Sequence, residues 1–368
     1  MYNSKISENK LVSPFLLFFL IHSSQTGITV LKYQRAIVQG AGYDAWLSVF
    51  VVGLSTNIIF FMMLYIMKQS TAGDILSLHK DLFGKFFGGA LNLLMACYFS
   101  IAGMSVLYSY IDALQVWVFN GIASWEYALV LCALIFYLVA GGFRVITGVA
   151  FWGLVIPVFL LLSFFYLIQY LEVSYLLPPF KYGLKEHYIS AKESVPLYLG
   201  FETALLYFPF LKNRKKASKW GHFALFFTTI LYVAITLVTF MFFTQGKMQH
   251  LIWPTLTMIK IIQFSFLERF EFIFIFTWLL VIIPVICIYL WSAVRAIKFT
   301  IPKIKPTYIL LFLLALYLYT NSFLIDLYYT QLIGKTVKYT GTIFVYGYIP
   351  LIFFISFIRN FIKTQKKA

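Results

Sequence analysis

Apolar residues run in long blocks along this chain, and polar residues collect between the blocks. A bilayer core about 30 Å thick needs about 20 apolar residues per helix. By that measure ten blocks predict membrane-spanning helices: 11–31, 45–67, 86–111, 127–143, 145–168, 194–211, 223–243, 272–294, 307–325 and 342–358. The second, Ala45 to Met67, carries one strongly polar residue, Asn57, and is the clearest. The fourth is short and ends in Gly141-Gly142. Between blocks, Gly73 to Gly88 alternates charged and apolar residues, which predicts an amphipathic helix lying on the membrane interface. Leu251 to Ile262 is too short and broken to span, and reads as an external helix or re-entrant cap. The stretch 169–193, with Pro178-Pro179, reads as a long external loop. It divides a single membrane domain, 1–368, into two halves of five spans, 11–168 and 194–358.

Two of the ten blocks are interrupted. In the first, His22-Ser23-Ser24-Gln25-Thr26-Gly27 puts polar or flexible residues where lipid demands apolar ones. In the sixth, Tyr198-Leu199-Gly200-Phe201-Glu202-Thr203 does the same, with Pro209 near its end. Broken backbone is tolerated at membrane depth only where protein or a water-filled cavity receives the freed N–H and C=O groups. Each break falls in the first helix of its half, and an odd number of spans per half inverts the second half relative to the first. Paired discontinuous helices in matching positions point to a transporter-type site near the bilayer midplane. The N-terminal block also has the outline of a signal peptide, with Lys5 and Lys10 ahead of it; the matching break in the second half favours its retention.

Composition agrees with a membrane bundle: 61% of the 368 residues are hydrophobic and 11% charged, with a mean hydropathy of +0.86. The net charge of +16 changes the picture only through its placement. With ten spans, the termini and the loops on their side hold most of the Lys and Arg, including Lys212, Arg214, Lys215, Lys216 and Lys219. The acids there are Glu8, Asp74 and Asp81, so the whole excess falls on one face. That is the positive-inside pattern of a cytoplasmic surface, and it places both termini in the cytoplasm. Nucleic-acid binding is not needed to explain it. The cysteines (Cys97, Cys132, Cys287) lie in apolar runs without metal-ligand spacing, and the histidines are scattered, so no metal or other cofactor is expected. Phosphate-loop, serine-hydrolase, zinc-protease and Cys-x-x-Cys motifs are lacking, so no catalytic residue is assigned and an enzyme is not expected.

The chemistry of the breaks suits a small zwitterion. A half-helix that starts at a break offers N–H groups and its positive dipole end to a carboxylate. The half that ends there offers carbonyls to an ammonium. Gly27 and Gly200 allow close backbone approach. Glu202 needs compensation, since a carboxylate at mid-membrane costs at least ~2.5 kcal/mol. It is read as a ligand for an amine or a proton carrier, against the alternative of a packing residue that steadies the break. Gln25 and Thr26 stand between ligand contacts and groups that satisfy backbone. Tyr98, midway along the third span, has a hydroxyl within reach of a substrate carboxylate, or is one packing tyrosine among 26.

Several stretches together resemble the B subunits of spore nutrient-germinant receptors, in the amino acid–polyamine–organocation superfamily. They are Gln25-Thr26-Gly27-Ile28-Thr29-Val30-Leu31, Leu82-Phe83-Gly84-Lys85, Tyr198-Leu199-Gly200-Phe201-Glu202, Phe208-Pro209-Phe210-Leu211-Lys212 and Leu267-Glu268-Arg269-Phe270-Glu271. The first break departs from the family pattern in having a single glycine. The resemblance implies an all-α integral membrane protein of ten transmembrane helices, with a LeuT-like five-plus-five inverted repeat and discontinuous helices 1 and 6. It implies residence in the inner membrane of an endospore, beside an A-type subunit and a lipoprotein C-type subunit. The small nutrient, often an amino acid, is expected between spans one, three, six and eight. From the first and third spans Gln25, Thr26, Gly27 and Tyr98 are expected to line the pocket. From the sixth and eighth come Leu199, Gly200, Phe201, Glu202 and Cys287. The alternatives are an independent proton- or sodium-coupled amino acid transporter with the same pocket, and a scaffold whose pocket is vestigial.

Overall fold

The computed structural model describes residues 6–119, 121–263, 269–323 and 327–365. Leu267 and Glu268, from the last of the family-like stretches, and the end of the ninth block at 324–325 lie outside them. Among the described residues every regular element is helical, with one isolated backbone bridge between Val12 and Leu211. In chain order the main helices are α1 (Leu16–Gln25), α2 (Ala45–Gln69), α3 (Ile75–Trp117), α4 (Ser124–Ala140) and α5 (Phe143–Val155). Then come α6 (Leu184–Tyr198), α7 (Arg214–Phe242), α8 (Phe270–Thr300), α9 (Pro306–Phe323), α10 (Leu327–Ile343) and α11 (Ile349–Gln365). Short turns extend α5 to Tyr170, and a π-turn, Phe344–Tyr348, joins α10 to α11.

Seven of these runs are long and apolar enough to cross a membrane: α2, α3, α5 with its extension, α7, α8, α9 and the α10–α11 run. Helix α2 shows why. It buries Val49, Val52, Thr56, Ile59, Phe60 and Met63 at helical spacing, yet its outer face carries Val51, Ile58 and Phe61, each about 60% exposed. A helix that is apolar all round belongs in a core or in lipid. Helices α1 and α4 are apolar but shorter.

The packing has a simple grammar. Helix α1 lies against α7 and α5, while α6 lies against α2 and α10. Helix α5 packs on α8, and α10 packs on α3. The remaining large interfaces join α2 to α7, α3 to α8, α4 to α9 and α2 to α11. Moving each of α1 to α10 five places along the chain turns these contacts, the α2–α11 interface aside, into one another.

Three segments differ from their predicted form. The stretch expected on the membrane interface does form a helix, Ile75 to Phe83, but Ile75, Leu76, Leu78 and His79 face protein. It is pinned by the Asp74–Arg295 ion pair at 2.7 Å and by His79, whose nitrogens meet Asn92 Oδ1 and the Tyr348 hydroxyl, each at 2.7 Å. Gly84, at φ 76°, then turns the chain into the spanning part of α3. Helix α6 starts at Leu184, inside the expected loop 169–193. Its charged first turns conceal Ser190, which donates to the Ile37 carbonyl at 2.6 Å and accepts from the Ala41 N–H at 2.8 Å. Likewise α10 begins at Leu327, well before the expected 342, because Lys335 and Lys338 lower its hydropathy. Lys338 is drawn inward by Glu193 of α6 at 2.5 Å.

Candidate functional site

Helix α1 stops at Gln25 and α6 at Tyr198, and the two stops lie against each other. The chain around Gly200 passes so close to the Ser24 carbonyl that any Cβ at Gly200 would overlap it. Gly200 also sits at φ 121°, a backbone conformation that L side chains rarely adopt. The breaks satisfy one another. Gln25 Nε2 donates to the Tyr198 carbonyl at 2.9 Å, filling an acceptor that the end of α6 leaves free. The Gln25 carbonyl accepts from the Tyr232 hydroxyl of α7 at 2.9 Å. Tyr198 in turn donates its hydroxyl to the Val49 carbonyl of α2 at 2.8 Å.

Glu202 stands at the start of the turn after the second break and is fully buried. One carboxyl oxygen accepts the Gly200 N–H at 2.7 Å, and the other accepts the Tyr98 hydroxyl at 2.7 Å. Hydrogen bonds to a charged acceptor contribute ~1.5–3 kcal/mol each, so two of them offset a mid-membrane cost of ~2.5 kcal/mol or more. Each oxygen keeps a lone pair that an ammonium donor can use. Thr203 closes the turn, its hydroxyl donating to the Gly200 carbonyl at 2.6 Å.

On the other side of the breaks, Tyr98 stacks on Phe344 at the start of the π-turn, with ring centroids 5.3 Å apart. Gly341, one turn earlier, lies in contact with Leu199 and the Tyr98 hydroxyl. Thr26 belongs to a separate branch. Its hydroxyl donates to the His22 carbonyl at 2.8 Å, and His22 Nδ1 meets Thr228 Oγ1 at 2.8 Å. Thr228 already donates to the Ala224 carbonyl, so it accepts here and Nδ1 carries the proton. Gly27 is the opposite of Gly200: a Cβ there would meet no atom within 4 Å. Beside it, Gln25 Oε1 is buried without a hydrogen-bond partner among the described residues.

Of the residues expected to line a pocket, Gln25, Tyr98, Leu199, Gly200 and Glu202 fall into one contacting set. Thr26 joins it through the backbone, and Gly27 borders open space. Phe201 and Cys287 are fully buried and make no polar bond to this set among the described residues. Four residues were missed from the sequence: Tyr198 as a ligand of α2, and Thr228, Tyr232 and Thr236 of α7. The signal was present, since Thr228, Tyr232, Thr236 and Thr239 recur at helical spacing on one face of an apolar run. That face forms a polar seam along the first interrupted segment. Tyr33 bonds Thr236 at 2.6 Å, and Gln34 reaches Thr255 of the short helix Pro254–Ile259 at 2.8 Å. Thr255 also donates to the Val30 carbonyl, so this helix covers the end of the segment beyond Gly27. No group of three His, Cys, Asp or Glu able to hold a metal ion occurs among the described residues.

With this geometry in place, known proteins provide a frame. The model of the spore germination protein (spore permease) family matches residues 11–329. Spore germination protein GerQB of Bacillus cereus is 35% identical over 344 residues, covering 94% of this chain and 95% of that protein. Spore germination protein B2 of Bacillus subtilis (strain 168) is 23% identical, covering 74% of each. Among solved structures, a Na+-coupled sialic acid symporter in a substrate-bound, outward-open state superposes with a TM-score of 0.68 at 10% identity. The match covers 91% of this chain and 79% of the symporter. At that identity the likeness carries the fold alone, which is of the LeuT transporter type.

Proposed function

The chain belongs to the spore germination protein family as a multi-pass membrane protein, and we propose that it is the nutrient-sensing B-type subunit of a spore germinant receptor. It binds a small nutrient, in the first instance an amino acid, where the two broken helices meet. The observation that carries this reading is the contact of the breaks: Gly200 against Ser24, Gln25 across to Tyr198, and Glu202 gathering Gly200 and Tyr98. An amino acid matches the groups there. Its ammonium suits Glu202, and its remaining atoms suit the open space at Gly27 beside the unpartnered Gln25 Oε1.

The architecture proposed with it is ten crossings: the seven long runs, the short α4, and the two broken helices. The contacts among α1 to α10 that map onto one another under a five-helix shift support two inverted repeats, 11–168 and 194–358, in one membrane domain. Ligand binding shifts two arrangements of the bundle through differential affinity. An A-type subunit and a lipoprotein C-type subunit read the shift in the inner spore membrane, with both termini on the lysine-rich cytoplasmic side.

The test uses spores carrying Gly27→Leu, which fills the open space without touching the contact of the breaks. Nutrient-triggered germination should be lost while the subunit is still found in the membrane at its normal level. A normal response would remove the pocket from the mechanism. The fold likeness keeps a second reading in play, an independent proton- or sodium-coupled amino acid transporter. Purified chain in proteoliposomes separates the two, since accumulation of labelled amino acid against a gradient is expected only of the transporter.

A further inference from the structure

A second site lies on the lysine-rich face, apart from the breaks. A cavity of about 60 Å³ opens there between the end of α2, the arm that begins α3, and α11. Gln69, Leu78, Leu82, Ser356, Arg359 and Asn360 line it. Pockets for drug-sized ligands run to roughly 300 Å³ and more, so this one fits a single compact group. Its polar lining consists of a guanidinium, two amides and a hydroxyl, without a carboxylate. Ser356 is only 3% exposed, and its hydroxyl has no hydrogen-bond partner among the described residues. Arg359 is half-buried and forms no ion pair among the described residues. The acids nearest in sequence are engaged elsewhere: Asp81 accepts the Thr71 N–H at 3.3 Å and Asp74 pairs with Arg295.

A buried hydroxyl without a partner and a half-buried guanidinium without a counter-ion are both unfavourable. A tetrahedral oxyanion relieves both at once, because the guanidinium fork matches two phosphate oxygens and the hydroxyl donates to a third. We infer that this cavity binds a phosphate group, held by Arg359 and Ser356, that is presented by an anionic phospholipid headgroup or free as inorganic phosphate. Exposed Lys68, Lys80 and Lys85 on the same face concentrate either source. The apolar wall of Leu78 and Leu82 suits the glycerol end of a lipid. The site goes beyond the nutrient reading and does not depend on it.

The test uses the full chain in phosphatidylcholine nanodiscs, with and without phosphatidylglycerol, with native mass spectrometry counting retained anionic lipid. Arg359→Ala should weaken retention about tenfold, the loss of one charge-assisted contact. Lys303→Ala, which removes an equal charge from an exposed site outside the cavity, should not. Ser356→Ala should weaken retention and also raise the melting temperature in phosphatidylcholine alone, since it removes an unpartnered buried hydroxyl. In phosphatidylcholine discs, inorganic phosphate that stabilises the wild type but not Arg359→Ala identifies the free ion as the source. Retained phosphatidylglycerol that phosphate does not displace identifies the lipid. Equal retention by wild type and Arg359→Ala, with no response to phosphate, overturns the inference; so does an equal loss in Lys303→Ala.

Discussion

Two glycines at the breaks make opposite demands. Gly200 has a left-handed φ and a backbone neighbour where a Cβ would be. Gly200→Ala should therefore cost at least ~1–3 kcal/mol of strain, seen as a lower melting temperature in detergent. Gly27 has neither constraint, and Gly27→Ala should melt within about 0.5 kcal/mol of wild type. Glu202 and Tyr98 form a second testable pair. A double-mutant cycle of Tyr98→Phe and Glu202→Gln should give a coupling of about 1.5 kcal/mol or more, because their bond involves a buried carboxyl group. Additive effects would mean that the two residues stabilise the site separately. Glu202 was conspicuous in the sequence because a lone acid in an apolar run must be compensated. Tyr98 and Gly200 also stood out, but as lining for a ligand; that they bond Glu202 itself was not legible, since one uses a backbone N–H and the other is one tyrosine among 26.

At the scale of the element, α7 matters more to the first break than the break's own sequence suggests. The Tyr232 hydroxyl donates to the Gln25 carbonyl at 2.9 Å, beside the local Gly27 N–H at 3.0 Å. Tyr232→Phe should cost about 0.5–1.5 kcal/mol by removing the donor that α7 gives that carbonyl. Thr340→Val is the control: its exposed hydroxyl returns to the Thr336 and Val337 carbonyls of its own helix, and melting should stay within about 0.5 kcal/mol. Spans such as α2 were legible because lipid imposes one requirement along their whole length. The starts of α6 and α10 were not, since Lys185, Glu186, Lys335 and Lys338 read as loop until Glu193 and Lys338 are brought together. The π-turn likewise has no hydropathy signature. It shows in the contacts of its residues, Phe344 with Tyr98 and Tyr348 with His79.

At the scale of the molecule, both breaks could be found in the sequence, but the way they complete each other could not. Gln25 and Tyr198 are 173 positions apart, and so is the moment at which each is synthesised. While the first half enters the membrane, the Gln25 amide and the Gly27 gap have nothing to close against. This contact is therefore expected to act as an assembly checkpoint, since an N-terminal half that never meets α6 keeps the Gln25 amide without its Tyr198 partner. Expressed alone, residues 1–180 should be cleared by membrane proteases, and co-expression of 181–368 should protect them, which pulse-chase labelling can follow. A contact that clasps α1 to α6 across 173 positions is inspected each time the chain folds.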